Sequence, residues 1–274
     1  MNQEYKNKII SSCIKEINKT FTKKPQYKIK FNDEYYLNHI INVLITGISW
    51  HHLQILHKFN SKTHYKSIYN KFKFWTQHNI FKNAFYNYPV DTNVNLFIID
   101  STSINNKYGV ESVGINPEYK KHNCTKLSII TNKYKQVLSP VIVENNKIFK
   151  NKKTLKHDIS TIPKHLEDLE KLSLNASYFK LLGDKGYITR QQYKLKNKNV
   201  HIITKKRSNA LTTQTSYNLK TIKSNRYKIE NINRNIKFLE RINLRKDRNL
   251  CNFYSFIYIG CLYNNILTSK TIQD

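Results

Sequence analysis

Three acidic residues stand where folding could bring them together for chemistry on phosphate esters. Asp100 closes the apolar run Asn95–Asp100, Asp184 closes Tyr178–Asp184, and Glu230 lies inside the basic stretch 226–241. The first arginine of the chain is Arg190, yet Arg226, Arg234, Arg241, Arg245 and Arg248 crowd into this one segment. Arginine grips phosphates through a bidentate fork. Three carboxylates on separate elements, one beside an arginine cluster, point to a metal site acting on phosphodiesters. A blander reading stands beside it. Glu230 and Arg234 form an i,i+4 pair on a solvated helix, and an aspartate after an apolar run is often a cap or turn residue.

The elements that must carry these acids follow from periodicity. Over 226–241, Ile229, Ile232, Ile236 and Leu239 form an apolar stripe, while Arg226, Glu230, Arg234, Lys237 and Arg241 share another face of one helix. Asn95–Asp100 reads as a central strand, Lys126–Thr131 and Val137–Val143 as a hairpin turning at 132–136, and Tyr178–Asp184 and Val200–Thr204 as two further strands. Ser160 is expected to cap a helix with Pro163 in its first turn, and Thr189–Gln192 matches a capping box opening another. Residues 207–222 read as a surface insertion. Strands interleaved with helices predict an α/β layer fold, in which groups at the carboxyl ends of strands converge on a crevice.

Residues 1–92 read as a separate all-helical domain, with helices over Tyr5–Phe21, Asp33–Thr46 and His64–Gln77 and a link over 48–53; 93–274 form the α/β domain. A short link before an aromatic, lysine-bearing helix is compatible with a helix-turn-helix DNA reader, with Lys66, Lys71 and Lys73 as phosphate contacts. Trp50, Phe72 and Trp75 are expected in the core, and His51 and His52 in a polar turn. Residues 253–267 are too short and too interrupted for a membrane span and read as a buried terminal helix.

The chain has 274 residues, 39% hydrophobic, enough for a sizeable core. Its formal charge of +29 calls for a polyanionic partner, although Lys, Asn, Ile and Tyr are also the residues an A/T-rich coding sequence favours. Cys13, Cys124, Cys251 and Cys261 are scattered, which excludes a zinc ribbon and a disulfide framework and fits reduced thiols inside a cell. No signal peptide is visible at the N-terminus.

Taken in order, these motifs resemble the DDE transposases of bacterial insertion sequences, in the insertion-sequence 4/5 superfamily whose third acid lies in a Tyr-x2-Arg-x3-Glu-x6-Lys signature. Arg226, Glu230 and Lys237 match that spacing, with Lys223 where the tyrosine would stand. Asp184-Lys-Gly-Tyr187 resembles the second-acid block and Asp100-Ser-Thr102 the first. Residues 44–53 and 69–75 resemble the helical domain that precedes catalysis, and 254–261 the closing helix.

The resemblance implies an RNase H-like mixed five-stranded sheet with flanking helices, in which Asp100, Asp184 and Glu230 hold two divalent ions. Oxygen donors suit Mg²⁺ or Mn²⁺. It further implies cleavage of double-stranded DNA at terminal inverted repeats, strand transfer into target DNA and a homodimer on the DNA. Arg226 and Lys237 would hold DNA, with Arg234 and Arg241 sharing the load by helix facing. Tyr187 is expected to pack beside the second acid or stack on a base; His122, Lys126 and His157 read as structural. The expected setting is intracellular and DNA-associated, in a host the sequence does not reveal. Three other functions compete: a metal-dependent nuclease on the same core, a decayed or domesticated transposase that only binds DNA, and a basic RNA-binding protein, for which no aromatic RNP-type signature is found.

Overall fold

The computed structural model describes residues 1–22, 31–56, 64–115, 123–143, 147–149, 152–154, 158–205 and 215–270. In chain order the elements are α1 (Gln3–Thr20), α2 (Asp33–Thr46), α3 (Trp50–Leu56), α4 (Tyr65–Gln77), α5 (Ile80–Tyr86), β1 (Leu96–Asn106), β2 (Gly114–Ile115), β3 (Asn123–Asn132) and β4 (Val137–Val143). They continue with β5 (Lys147–Phe149), β6 (Lys152–Thr154), α6 (Ile162–Glu170), β7 (Phe179–Gly183), β8 (Tyr193–Leu195) and β9 (Lys198–Thr204). The last are α7 (Ser216–Lys237), α8 (Glu240–Asn243), β10 (Leu244–Arg245) and α9 (Leu250–Lys270). Two compact units result: Met1–Pro89 with Asn106–Glu111 and Ile236–Leu267, and Val90–Asn105 with Ser112–Asn235 and the residues from Thr268.

The first unit is helical. It includes the terminal helix, which the expected boundary at 92 assigned to the other domain. The reason is visible in α9, where Phe253, Phe256, Ile257, Ile259, Cys261, Leu262 and Ile266 are all buried. A helix apolar around most of its circumference needs helices, not solvent, about it. Phe72 stacks on Phe256 at 4.8 Å and lies 5.3 Å from Trp50; Phe72 and Trp75 are wholly buried, as expected. α2 ends where Gly47 takes the left-handed conformation (φ 64°) and donates to Val43. A side chain there would also meet Glu240. The expected link at 48–53 is instead the start of α3, whose first turn is capped by Ser49 Oγ accepting from the His52 backbone N–H. α5 was not foreseen; its seven residues are too few to show a helical period.

The second unit is built on a mixed sheet in the order β2-β3-β1-β7-β9-β8, with β4 on β3. β1 runs antiparallel to β3 and parallel to β7, β7 runs parallel to β9, and β3–β4 is the expected hairpin. Asn132 makes that turn, its Oδ1 accepting from the Tyr134 and Gln136 backbones. The side chains of β1 alternate between two cores. Phe97 and Ile99 join a cluster with Ile162, Leu166 and Leu169 of α6; Ile98 packs with Leu182 of β7 and Ile229 of α7.

Three expectations fail locally. Ser160 lies in a 3-10 turn, Asp158–Thr161, and Thr161 takes the position before α6. The segment 189–192 opens no helix: Thr189 Oγ1 accepts from the Gln191 N–H in a local turn, and β8 follows. Lys196 and Asn197, with φ of 49° and 60°, then make the two-residue turn that folds β8 back on β9. Polar Thr and Gln serve a turn as readily as a cap, and the sheet decided between them. Of the insertion expected at 207–222, residues 206–214 lie outside the described residues, and from Ser216 the chain is helical.

Candidate active site

Strand register brings the first two acids together. The parallel pairing of β1 with β7 runs Leu96↔Lys180, Phe97↔Leu181 and Ile98↔Leu182. Two residues beyond Ile98 and Leu182, on the same face as each, stand Asp100 and Asp184. Neighbouring strands lie about 4.8 Å apart, so the two carboxylates are side by side. Asp100, expected at the end of a strand, lies instead in the middle of β1, which continues against β3 to Asn106. What ends at that level is β7, and the crevice opens there.

Asp184 follows β7 directly, and its Oδ1 accepts from the Gly186 N–H at 2.7 Å, capping a 3-10 turn over 185–187. Gly186 allows a close approach: a Cβ there would stand 2.8 Å from Asp158 Oδ2 and 3.0 Å from Asp184 Oδ1. Asp158, which the sequence reading passed over, is therefore a further carboxylate at this site. Lys126 of β3 pairs with it. Lys126, expected to be structural, is thus paired with a member of the acid cluster. His122 and His157 lie outside the described residues.

Burial pushes the Asp100 carboxyl up to about 6; the charges of Asp184 and Asp158 add to the rise, while the Ser101 backbone and Arg226 oppose it. A group in this position gains from a cation beside it. Asp100, Asp184 and Gly183 line a cleft of about 20 Å³ with Arg226 and Ile222 of α7, room for a water-sized occupant. Tyr187 packs rather than stacks on a base: its ring is wholly buried and its hydroxyl meets Ser101 Oγ at 2.8 Å.

Glu230 is placed differently. It is on the same helix as Arg226, but its Oε1 accepts from Arg226 Nε at 3.1 Å, and both side chains are more than half exposed. Among the described residues no three His, Cys, Asp or Glu side chains gather closely enough to hold a metal ion. The donor chemistry of Asp100 and Asp184 nevertheless fits a hard divalent ion. The residue of α7 that does touch Asp100 is Asn233, whose Nδ2 donates to Asp100 Oδ2 at 3.1 Å. The sequence reading missed it. Its signal was its place on the face of Arg226 and Glu230, seven and three residues on.

The basic residues also divide. Arg226 and Arg234 are exposed on α7, and Lys237 is half-buried at its end, within the helical unit. Arg241, expected to reach DNA, is buried instead. Its Nε and Nη2 donate to the two carboxylate oxygens of Asp247, both at 2.8 Å, and Nη1 donates to the Ile48 carbonyl. Arg245 is wholly buried and donates to the carbonyls of Glu111, Asp247 and Arg248. In the helical unit Lys66 and Lys73 are exposed, while Lys71 is bound to Asp33 at 3.2 Å and lies over the Trp75 ring. No helix among the described residues is long and apolar enough to cross a membrane.

No family model and no curated protein matches the sequence. Among solved structures, the fold is similar to that of a piggyBac transposase, seen by cryo-electron microscopy in a synaptic complex with hairpin DNA. The match has a TM-score of 0.54 at 10% identity and covers 97% of this chain and 73% of the other. At that identity the likeness shows a fold: this chain has a mixed α/β architecture similar to that structure.

Proposed function

We propose that the chain is a DDE transposase of the insertion-sequence 4/5 type, with an RNase H-like core that cleaves DNA at element ends and joins it to a target by in-line displacement at phosphorus. The observation that carries this reading is the shared cleft of Asp100, on β1, and Asp184, just past the end of the parallel strand β7, which Arg226 of α7 also lines. The run β4-β3-β1-β7-β9, antiparallel on one side of β1 and parallel on the other, supports the RNase H-like assignment.

Asp100 and Asp184 would hold divalent ions, two being expected, with Glu230 joining them once it leaves Arg226. Bound Mg²⁺ or Mn²⁺ supplies charge stabilisation for the attacking and leaving oxygens. An exposed ion pair is worth only about 0–1 kcal/mol, so releasing Glu230 is a small expense. Arg226, freed in the same movement, is then available to a DNA phosphate, with Arg234 and Lys237 along the same helix. The helical unit would bind DNA through Lys66 and Lys73. Terminal repeats, target DNA and a homodimer complete the proposal.

One observation favours a second reading, a protein that binds DNA without cutting it: Glu230 stands apart from the two aspartates. The test is incubation of labelled DNA carrying element ends with wild type and Asp184→Asn, in Mg²⁺ or Mn²⁺. Metal-dependent cleavage and joining that vanish in the variant support the transposase. Cutting without joining indicates a nuclease. Salt-sensitive binding with no cutting by either protein indicates the binding-only reading.

A further inference from the structure

We infer that Asn233 is a positioning residue for Asp100: its amide holds the carboxylate in the orientation in which it faces Asp184 across the cleft. The inference rests on the reading of these two aspartates as ligands of a divalent cation. Its first support is the bond itself, Nδ2 to Oδ2 at 3.1 Å, linking α7 to β1 across a sequence separation of 133 residues. An ionised carboxylate only accepts hydrogen bonds, so the NH₂ end of the amide must face it; the flipped amide would set oxygen against oxygen. The second support is the other end of the same group. Asn233 Oδ1 is buried and has no hydrogen-bond partner among the described residues.

A buried acceptor left unmet is a penalty that alanine or leucine would not carry. A residue serving only to fill space here would be apolar, as its neighbours are: Ile229 and Ile232 are each 1% exposed. Those two side chains anchor this stretch of α7, so the amide is presented from a fixed backbone rather than a mobile one. Outer partners of this kind orient a carboxylate ligand and raise its usefulness to a metal. Asn233 therefore acts through Asp100, without touching DNA or the reacting atoms.

The experiment is a titration of the full chain with Mn²⁺, reading free Mn²⁺ by electron paramagnetic resonance, for wild type, Asn233→Ala, Asn233→Leu and Asp100→Asn. Both Asn233 variants should bind Mn²⁺ about 10–100-fold more weakly, the range found when partners of metal ligands are removed. Their circular dichroism should be unchanged. In DNA cleavage the Mn²⁺ concentration giving half-maximal rate should rise by the same factor, with the rate recovered at saturating metal. Asn233→Leu fills the space without a donor, so an equal loss in both variants separates the hydrogen bond from the volume. Wild-type affinity in both variants, with binding lost in Asp100→Asn, overturns the inference and leaves the transposase reading intact. Equal Mn²⁺ binding by wild type and Asp100→Asn removes the reading and the inference together. Unfolding of both Asn233 variants makes the residue structural and likewise overturns the inference.

Discussion

Two arginine–carboxylate pairs, Arg241 with Asp247 and Arg226 with Glu230, have the same chemistry and opposite roles. In the helical unit both side chains of the first pair are 4% exposed, the contact is bidentate at 2.8 Å, and the guanidinium also meets the Ile48 carbonyl and lies 5.6 Å from the Phe256 ring. In the sheet unit the second pair is 57% and 54% exposed and joined through one nitrogen. Water competes for every charge in the second pair and for none in the first. A buried pair is fixed, because breaking it strands a desolvated charge; an exposed pair is exchangeable, because water or a phosphate replaces the lost partner. The lesson is that an arginine in a basic run is a candidate for binding DNA only where its guanidinium has no buried carboxylate of its own.

That contrast is sharpest in stability. Arg241→Ala should destabilise the protein by about 3–5 kcal/mol in urea denaturation, the cost of leaving Asp247 buried and unpaired. A loss near zero would erase the distinction. Asp100→Asn tests the opposite case, a buried carboxylate with too little compensation. Its carboxyl is raised to about 6 in the fold, so the folded state binds a proton more readily than the unfolded state, and stability falls as pH rises from about 4 through 6. In EDTA at pH 7 the variant should therefore be the more stable, by an amount on the order of 1–3 kcal/mol. Its advantage should shrink as the pH falls from about 6 and vanish below about 4, where wild-type Asp100 becomes protonated in the unfolded state as well. An advantage independent of pH would assign the effect to packing instead.

Glu230→Gln should shift stability by less than about 1 kcal/mol, as expected for an exposed pair. Under the proposed function the same substitution should abolish metal-dependent cleavage. A large loss of stability with cleavage retained would make the pair structural. The smallest effect is expected at Lys66, exposed in the helical unit. Lys66→Ala should weaken DNA binding modestly and lower the slope of log K against log salt by about 0.9, one phosphate contact. An unchanged slope would remove Lys66 from the DNA surface.

The sequence by itself determined most of the framework. The apolar runs of Asn95–Asp100 and Tyr178–Asp184, the apolar stripe of Ile229, Ile232 and Ile236, and Gly47 after α2 are local signals, and the elements formed where those signals stood. It also selected Asp100 and Asp184, because an acid at the edge of an apolar run is conspicuous. Tertiary structure decided the rest. Whether 189–192 capped a helix or turned into β8 depended on the edge of a sheet that no local window contains. Whether Arg241 met solvent depended on Asp247, Phe256 and the Ile48 carbonyl. Asp158 reached Asp184 through the space left by Gly186, and Asn233 reached Asp100 from the other end of the unit. Periodicity reports which face of an element is apolar; register and burial decide which polar groups share that face with a neighbour and which of them water can still reach.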